Sequence, residues 1–334
     1  MQRSPPLSKL RKRGELHVSD RDDYAAFLAA SPQRSVFAQP WWLDITTGGA
    51  DRWRPNVVRA ADGSVRAAWP LPTREERGTG VAHGAPYTPF VGPMLASADV
   101  TEEVDALDEL SALLEREYLH VEAACTPEFD YWTPLSWHGF TQTTRTTWRI
   151  AADQSIDDVR AAMRKKTRGS LRAAERDGLT VVTGSVEDLL EACAATFERN
   201  LDSSVPARTV LATLAAETVP RGAGEILAVR TDSGELASAG LFVFDDRWTW
   251  NLANGRLDVD GAVGAPTLLL DAAIERALAR GTGFDFEGSM LRPVERFVRG
   301  FGGGHVQYSV IHRSTPQWER HVARKRRIKR LLRR

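Results

Sequence analysis

Apolar and polar positions change period several times along this chain, and the changes mark out its elements. Around Asp20 to Ala30 and Glu102 to Tyr118 apolar residues recur at helical spacing, whereas His120-Val121-Glu122-Ala123-Ala124 and Thr141 to Arg149 read as strands. Phe37 to Ile45 adds an apolar, aromatic segment that includes Trp41 and Trp42. Further on, helices are predicted over Glu187 to Asn200, Ala207 to Thr218 and Pro266 to Arg280, and strands over Arg247 to Asn251 and Gly283 to Glu287.

One pattern occurs twice. Val58-Arg59-Ala60-Ala61-Asp62-Gly63-Ser64-Val65-Arg66-Ala67-Ala68 aligns at constant offset with Val229-Arg230-Thr231-Asp232-Ser233-Gly234-Glu235-Leu236-Ala237-Ser238-Ala239. Both read as strand, glycine turn and strand, with Asp62-Gly63 and Ser233-Gly234 at the tight turn. Similar helices and strands surround the two copies, so the chain is expected to hold two related mixed α/β lobes. The boundary is placed at Ile150, where Ala151-Ala152-Asp153-Gln154 separates a Thr-rich strand from a helical run. The expected division is a first lobe over 15–150, a second over 151–315 and a basic end over 316–334.

The helical run starts with a capping box, Ser155 and Asp158, and carries an apolar stripe of Ile156, Val159, Met163, Thr167 and Leu171. Arg160, Arg164, Arg168, Arg172 and Arg176 recur every four residues beside Lys165 and Lys166, and Gly178 ends the run. Such a face suits the phosphates of a nucleotide, coenzyme A, a lipid pyrophosphate or tRNA, or it is simply solvated. Net charge is zero, yet residues 313 to 334 hold ten Arg or Lys against the single acid Glu319. RNA, an anionic membrane surface or water alone are the environments open to that end.

Composition then narrows the chemistry. No run approaches the roughly 20 apolar residues of a membrane helix, and Met1 to Pro6 lacks a signal-peptide core, so a cytoplasmic protein is expected. Cys125 and Cys193 are too few for a zinc knuckle or a disulfide framework. The seven histidines show no metal spacing, and no Gly-x-Ser-x-Gly elbow is present, so neither a metal site nor a hydrolase triad is predicted.

The sharpest segment is Asp285-Phe286-Glu287-Gly288-Ser289-Met290, followed by Phe297-Val298-Arg299-Gly300-Phe301-Gly302-Gly303. Together with Lys165 to Gly178 it resembles the signature of Fem-type aminoacyltransferases, relatives of the GNAT acetyltransferases. The resemblance runs from about Phe37 to Arg313. Two departures stand out: Phe297-Val298 replaces a Phe-Lys pair, and no paired-heptad insertion lies between Asp177 and Val229.

The resemblance implies a mixed α/β (α+β) fold built as a tandem pair of GNAT-like lobes, each a twisted mixed sheet flanked by helices. It also implies an acyltransferase that passes an aminoacyl group from aminoacyl-tRNA to an amine of a small molecule, peptide or cell-wall precursor. Acyl-coenzyme A is the alternative donor, and a non-catalytic RNA-binding or membrane-surface protein the alternative of another class. The acetyltransferase phosphate-loop pattern is not met between Gly255 and Pro266, which weighs against coenzyme A.

No cofactor or metal is implied beyond the co-substrate. Glu287 and Ser289 are the expected polarising or positioning groups. Lys165, Lys166, Arg168, Arg172, Trp250, Asn251, Asn254, Arg299 and Phe301 are expected on the donor side, and Trp41, Trp42 and Tyr87 on the acceptor side. The Lys165 to Arg176 helix and the basic tail are the expected tRNA contacts.

Overall fold

The two echoed hairpins close with the same hydrogen bonds. In the first, Ala60 N–H donates to Ser64 O at 2.8 Å and Gly63 N–H to Ala60 O at 3.0 Å; in the second, Thr231 N–H donates to Glu235 O at 3.0 Å and Gly234 N–H to Thr231 O at 2.9 Å. Arg59 and Arg230 each donate to the carbonyl of their turn glycine. Each also pairs with an aspartate, Asp20 for Arg59 and Asp188 for Arg230. The sequence echo is therefore a repeat of structure.

The computed structural model describes residues 18–76, 79–199, 208–288 and 290–332. The first half runs α1 (Val18–Ala30), α2 (Pro40–Thr47), β1 (Trp53–Arg54), β2 (Val57–Arg59), β3 (Val65–Ala68), β4 (Leu71–Glu76), β5 (Thr79–Ala82), β6 (Met94–Leu95), α3 (Val100–Glu117), β7 (Tyr118–Ala124), α4 (Thr133–Trp137) and β8 (Thr141–Ile150). The second half continues with α5 (Ile156–Ala162), α6 (Lys165–Arg176), β9 (Thr180–Thr183), α7 (Val186–Arg199), α8 (Arg208–Thr218), β10 (Gly224–Arg230), β11 (Leu236–Phe244) and β12 (Trp248–Arg256). It ends with α9 (Ala265–Arg280), β13 (Gly283–Asp285), α10 (Arg292–Val298), β14 (Gly304–Ser314) and α11 (Pro316–Leu332).

Eleven strands form one mixed sheet in the order β1-β4-β5-β7-β14-β8-β13-β12-β11-β10-β9, and β2, β3 and β6 form a small second sheet. The last strand, β14, leaves the second half and inserts between β7 and β8, pairing antiparallel with both. β8 in turn pairs with β13. The two halves thus share the centre of one sheet. Their cores also meet directly: Phe37 packs edge-on against Trp250 at 4.9 Å between ring centroids.

The predicted single cationic helix is two helices. The capping box forms, with Ser155 Oγ accepting from Asp158 N–H at 3.1 Å, but the chain turns extended at Met163 and Arg164. Arg168 folds back to donate to the carbonyls of Ala161 and Met163. Those are carbonyls that a helix end leaves unpaired. Arg160 is held by Asp271 at 2.6 Å and Glu275 at 2.9 Å on α9. Arg160 and Arg168 are thereby committed to internal contacts, and the stripe of arginines is not a uniform surface.

Candidate active site

A fork opens in the middle of the sheet. β12 and β13 run parallel from Trp248 and Gly283 to Trp250 and Asp285, after which β12 continues to Arg256 paired with β11 but no longer with β13. The chain beyond β13 bends at Glu287, whose φ of 56° lies in the left-handed region, and at Gly288. A side chain at Gly288 would strike the backbone of Thr146 on β8, so the turn is pressed against the sheet there.

Asp285 fixes this corner. It is fully buried, accepting from Thr147 Oγ1 at 2.5 Å and from Arg149 Nε at 2.7 Å. Arg149 also reaches Glu128 at 2.7 Å and lies over the Trp248 ring at 4.0 Å. Asp285 Oδ1 further accepts the backbone N–H of Glu287 at 2.8 Å. Burial nonetheless pushes the Asp285 carboxyl upward, with Arg149 and Thr147 opposing it. For Glu287, burial and the neighbouring Asp285 raise the carboxyl well above its ordinary value, and its Oε1 has no hydrogen-bond partner. A carboxyl whose proton affinity is raised is a stronger base once ionised, which suits it to accept a proton.

Glu287 faces a cavity of about 490 Å³ between the two halves, with Tyr87, Phe90, Glu122 and Arg145 also in its walls. Arg145 on β8 and Tyr308 on β14 are register partners, and Arg145 hydrogen-bonds the Tyr308 hydroxyl. Asp285 and Glu287 lie close enough to Tyr308 to raise its pKa, behind the larger effect of burial. Tyr87 is pushed up to about 12, by burial first and then by Cys193.

A second cavity, of about 480 Å³, lies where α6, α9 and α10 converge. Arg164, Lys166 and Arg296 line it with the hydroxyls of Thr167, Ser170 and Thr267. Gly264, in the connection that lacks the acetyltransferase phosphate-loop pattern, serves packing: a side chain there would meet Ser170 O of α6 at 2.5 Å.

Of the residues picked out from sequence, Glu287 and Tyr87 are brought together in the first cavity, and Lys166 lines the second. Lys165 and Arg172 are exposed on α6. Trp250 is a core residue against Phe37, and Asn254 donates to Asn251 Oδ1 at 2.8 Å. Phe301 is fully buried against Phe286 and Phe297, so it packs the core and reaches neither cavity. Arg299 pairs with Glu295 at 3.2 Å. Trp42 is fully buried and donates to Thr88 Oγ1 at 3.1 Å, which supports the loop carrying Tyr87; Trp41 lies under Arg221 instead. Ser289 lies outside the described residues.

Arg145, Tyr308, His83 and Glu122 were not singled out from sequence. An arginine set among threonines in β8 was the only local signal for Arg145, and Tyr308 had none.

Residues 161–297 match the family model described as acetyltransferase (GNAT) domain. The fold is similar to a crystal structure of FemX, with 14% identity over 88% of this chain and 96% of that one and a TM-score of 0.65. The chain has a Fem-like fold and carries a GNAT-type stretch over 161–297. Also similar are the C-terminal domain of a putative lysylphosphatidylglycerol synthetase from Agrobacterium fabrum and L-PGS from Bacillus licheniformis. The first shares 11% identity over 89% of this chain and 94% of that one, with a TM-score of 0.56. The second shares 14% identity over 91% and 96%, with a TM-score of 0.53. No curated protein matches by sequence. The matched stretch takes in the fork, Glu287 and the lining residues of the second cavity on α6, α9 and α10.

Proposed function

We propose that the protein transfers an aminoacyl group from aminoacyl-tRNA to an amine bound in the interlobe cavity, with Glu287 as the proton acceptor. The single observation that carries this reading is the unpartnered, raised-pKa carboxyl of Glu287 at the mouth of the β12–β13 fork, facing that cavity.

An amine in water is mostly protonated and must lose a proton to attack. In the reaction the amine nitrogen bonds to the carbonyl carbon, the ester C–O bond breaks, and the amine proton passes to Glu287. The ester oxygen leaves on the tRNA and takes that proton from Glu287 as a hydroxyl, which restores the carboxylate. The reaction is downhill, so alignment of the two substrates supplies most of the acceleration. Arg145, which lines the cavity and hydrogen-bonds the Tyr308 hydroxyl, would bind polar groups of the acceptor beside Glu287.

The donor's phosphates would meet Arg164, Lys166 and Arg296 at the second cavity, flanked by exposed Lys165 and Arg172. Exposed cations on α11 extend the positive surface. A specific observation also favours acyl-coenzyme A as donor: the second cavity combines three cations with three hydroxyls beside the first turn of α9, the kind of groups that hold a pyrophosphate.

Purified protein supplied with charged tRNA or with acyl-coenzyme A, and with a panel of amines, decides between the donors by the mass of the product. Product from the tRNA ester alone supports the reading. Product from the thioester alone overturns it in favour of coenzyme A.

A further inference from the structure

The sheet face beneath α11 gathers histidines from three strands. β5 and β7 run parallel with Val81 opposite His120 and Ala82 opposite Val121, which brings His83 level with Glu122 one step on. β7 and β14 run antiparallel with His312 opposite Glu122 and Ser314 opposite His120. Because strand side chains alternate between faces, these groups share one side. The ring centroids of His83 and His120 are 4.8 Å apart, and those of His120 and His312 are 5.0 Å apart. Trp318 of α11 covers the group, stacked on His120 at 5.5 Å.

We propose that His83, His120 and Glu122 bind a divalent transition-metal ion, with zinc the best fit. One donor atom from each lies within 4.8 Å of the other two. Tetrahedral coordination with bonds of about 2.1 Å sets donors about 3.4 Å apart. The remaining closure is within the side-chain rotation of the exposed Glu122. Two imidazoles and one carboxylate select zinc-class ions over magnesium or calcium, which prefer all-oxygen shells.

Orientation is also built in. His120 Nδ1 lies 2.7 Å from Ser314 Oγ. With its proton donated there, Nε2 is left as the lone-pair donor, as metal-bound histidines are commonly oriented by an outer partner. The buried cysteines, Cys125 and Cys193, are no part of this cluster.

His83 and Glu122 line the interlobe cavity, so the ion's open position lies on the cavity wall. There it would take an anionic oxygen, carboxylate or phosphate, of a bound acceptor. That last role rests on the acceptor reading above, whereas ion binding itself does not.

The test uses untagged full-length protein, titrated with Zn²⁺ by calorimetry and with Co²⁺ by visible absorption. One ion per chain is expected, with affinity falling at least about tenfold in His83→Ala, in His120→Ala and in Glu122→Gln. His305→Ala, at the opposite end of β14, leaves the affinity unchanged. Thermal melts without metal check that each variant is folded; should His120→Ala fail, His83→Ala and Glu122→Gln carry the test. Absence of saturable binding, or equal affinity in wild type and these two variants, overturns the proposal. Because only binding is read, its failure is distinct from failure of the transferase reading.

Discussion

The backbone N–H of Glu287 donates to Asp285 Oδ1 at 2.8 Å, so one buried carboxylate sets the direction of the next. The positive φ at Glu287 turns the chain out of β13 at the point where β12 and β13 separate. The aspartate holds the corner and the glutamate is left to face the cavity. That division of labour makes the two positions separable by mutation.

Asp285 and Arg149 are buried together, and removing one leaves the other uncompensated. Arg149→Met is expected to destabilise the fold by about 3–5 kcal/mol. Equilibrium unfolding in urea measures this, and a change below about 1 kcal/mol would show that Glu128 and Thr147 do not depend on the arginine to hold the corner.

Glu287 predicts the opposite effect on stability. Its folded pKa is raised, so the folded state holds the proton more tightly than the unfolded chain. The favourable contribution is fully present below the unfolded value of 4.5 and is lost as pH rises through the folded value. Gln keeps the neutral form throughout. Melting temperatures measured from acidic to alkaline pH should show Glu287→Gln gaining on wild type as pH rises, and parallel curves would refute the raised pKa.

Gly264 has an ordinary φ, so its requirement is one of space alone. An added Cβ would sit 2.8 Å from Ala174 Cβ and press on Ser170 O, forcing α6 from α9. Gly264→Ala should cost about 1–3 kcal/mol. Chemical denaturation gives the value, and a neutral result would mean that α6 shifts freely.

Arg324, Lys325, Arg326 and Arg327 form a run of cations on α11. Replacing all four by Gln should weaken tRNA binding and reduce the slope of log affinity against log salt by roughly 3. Binding assays at several salt concentrations test this. An unchanged slope would remove α11 from the RNA surface.

Local chemistry made much of the fold legible in advance. The paired hairpins follow from Asp62-Gly63 and Ser233-Gly234, and the start of α5 follows from Ser155 and Asp158. The break at Met163 and Arg164 was hidden because no Gly or Pro marks it; Arg168, four residues on, stabilises it by returning to the exposed carbonyls. Phe301 and Trp250 looked like ligand contacts because a buried aromatic and a groove aromatic have the same local pattern.

The cavity itself was hidden by topology. Arg145 and Tyr308 meet only because β14 inserts beside β8. His83 reaches His120 and Glu122 only through the parallel pairing of β5 with β7. Neither pairing leaves a mark on sequence spacing.

The most direct measurement is the rate of amide formation by wild type and Glu287→Gln, each saturated with the active donor and an accepted amine, with product read by mass. Loss of a general base should lower kcat by about 10²–10⁴-fold at neutral pH, with folding intact. An unchanged kcat in the Gln variant would contradict the assignment of Glu287 as proton acceptor and move the chemistry away from the fork.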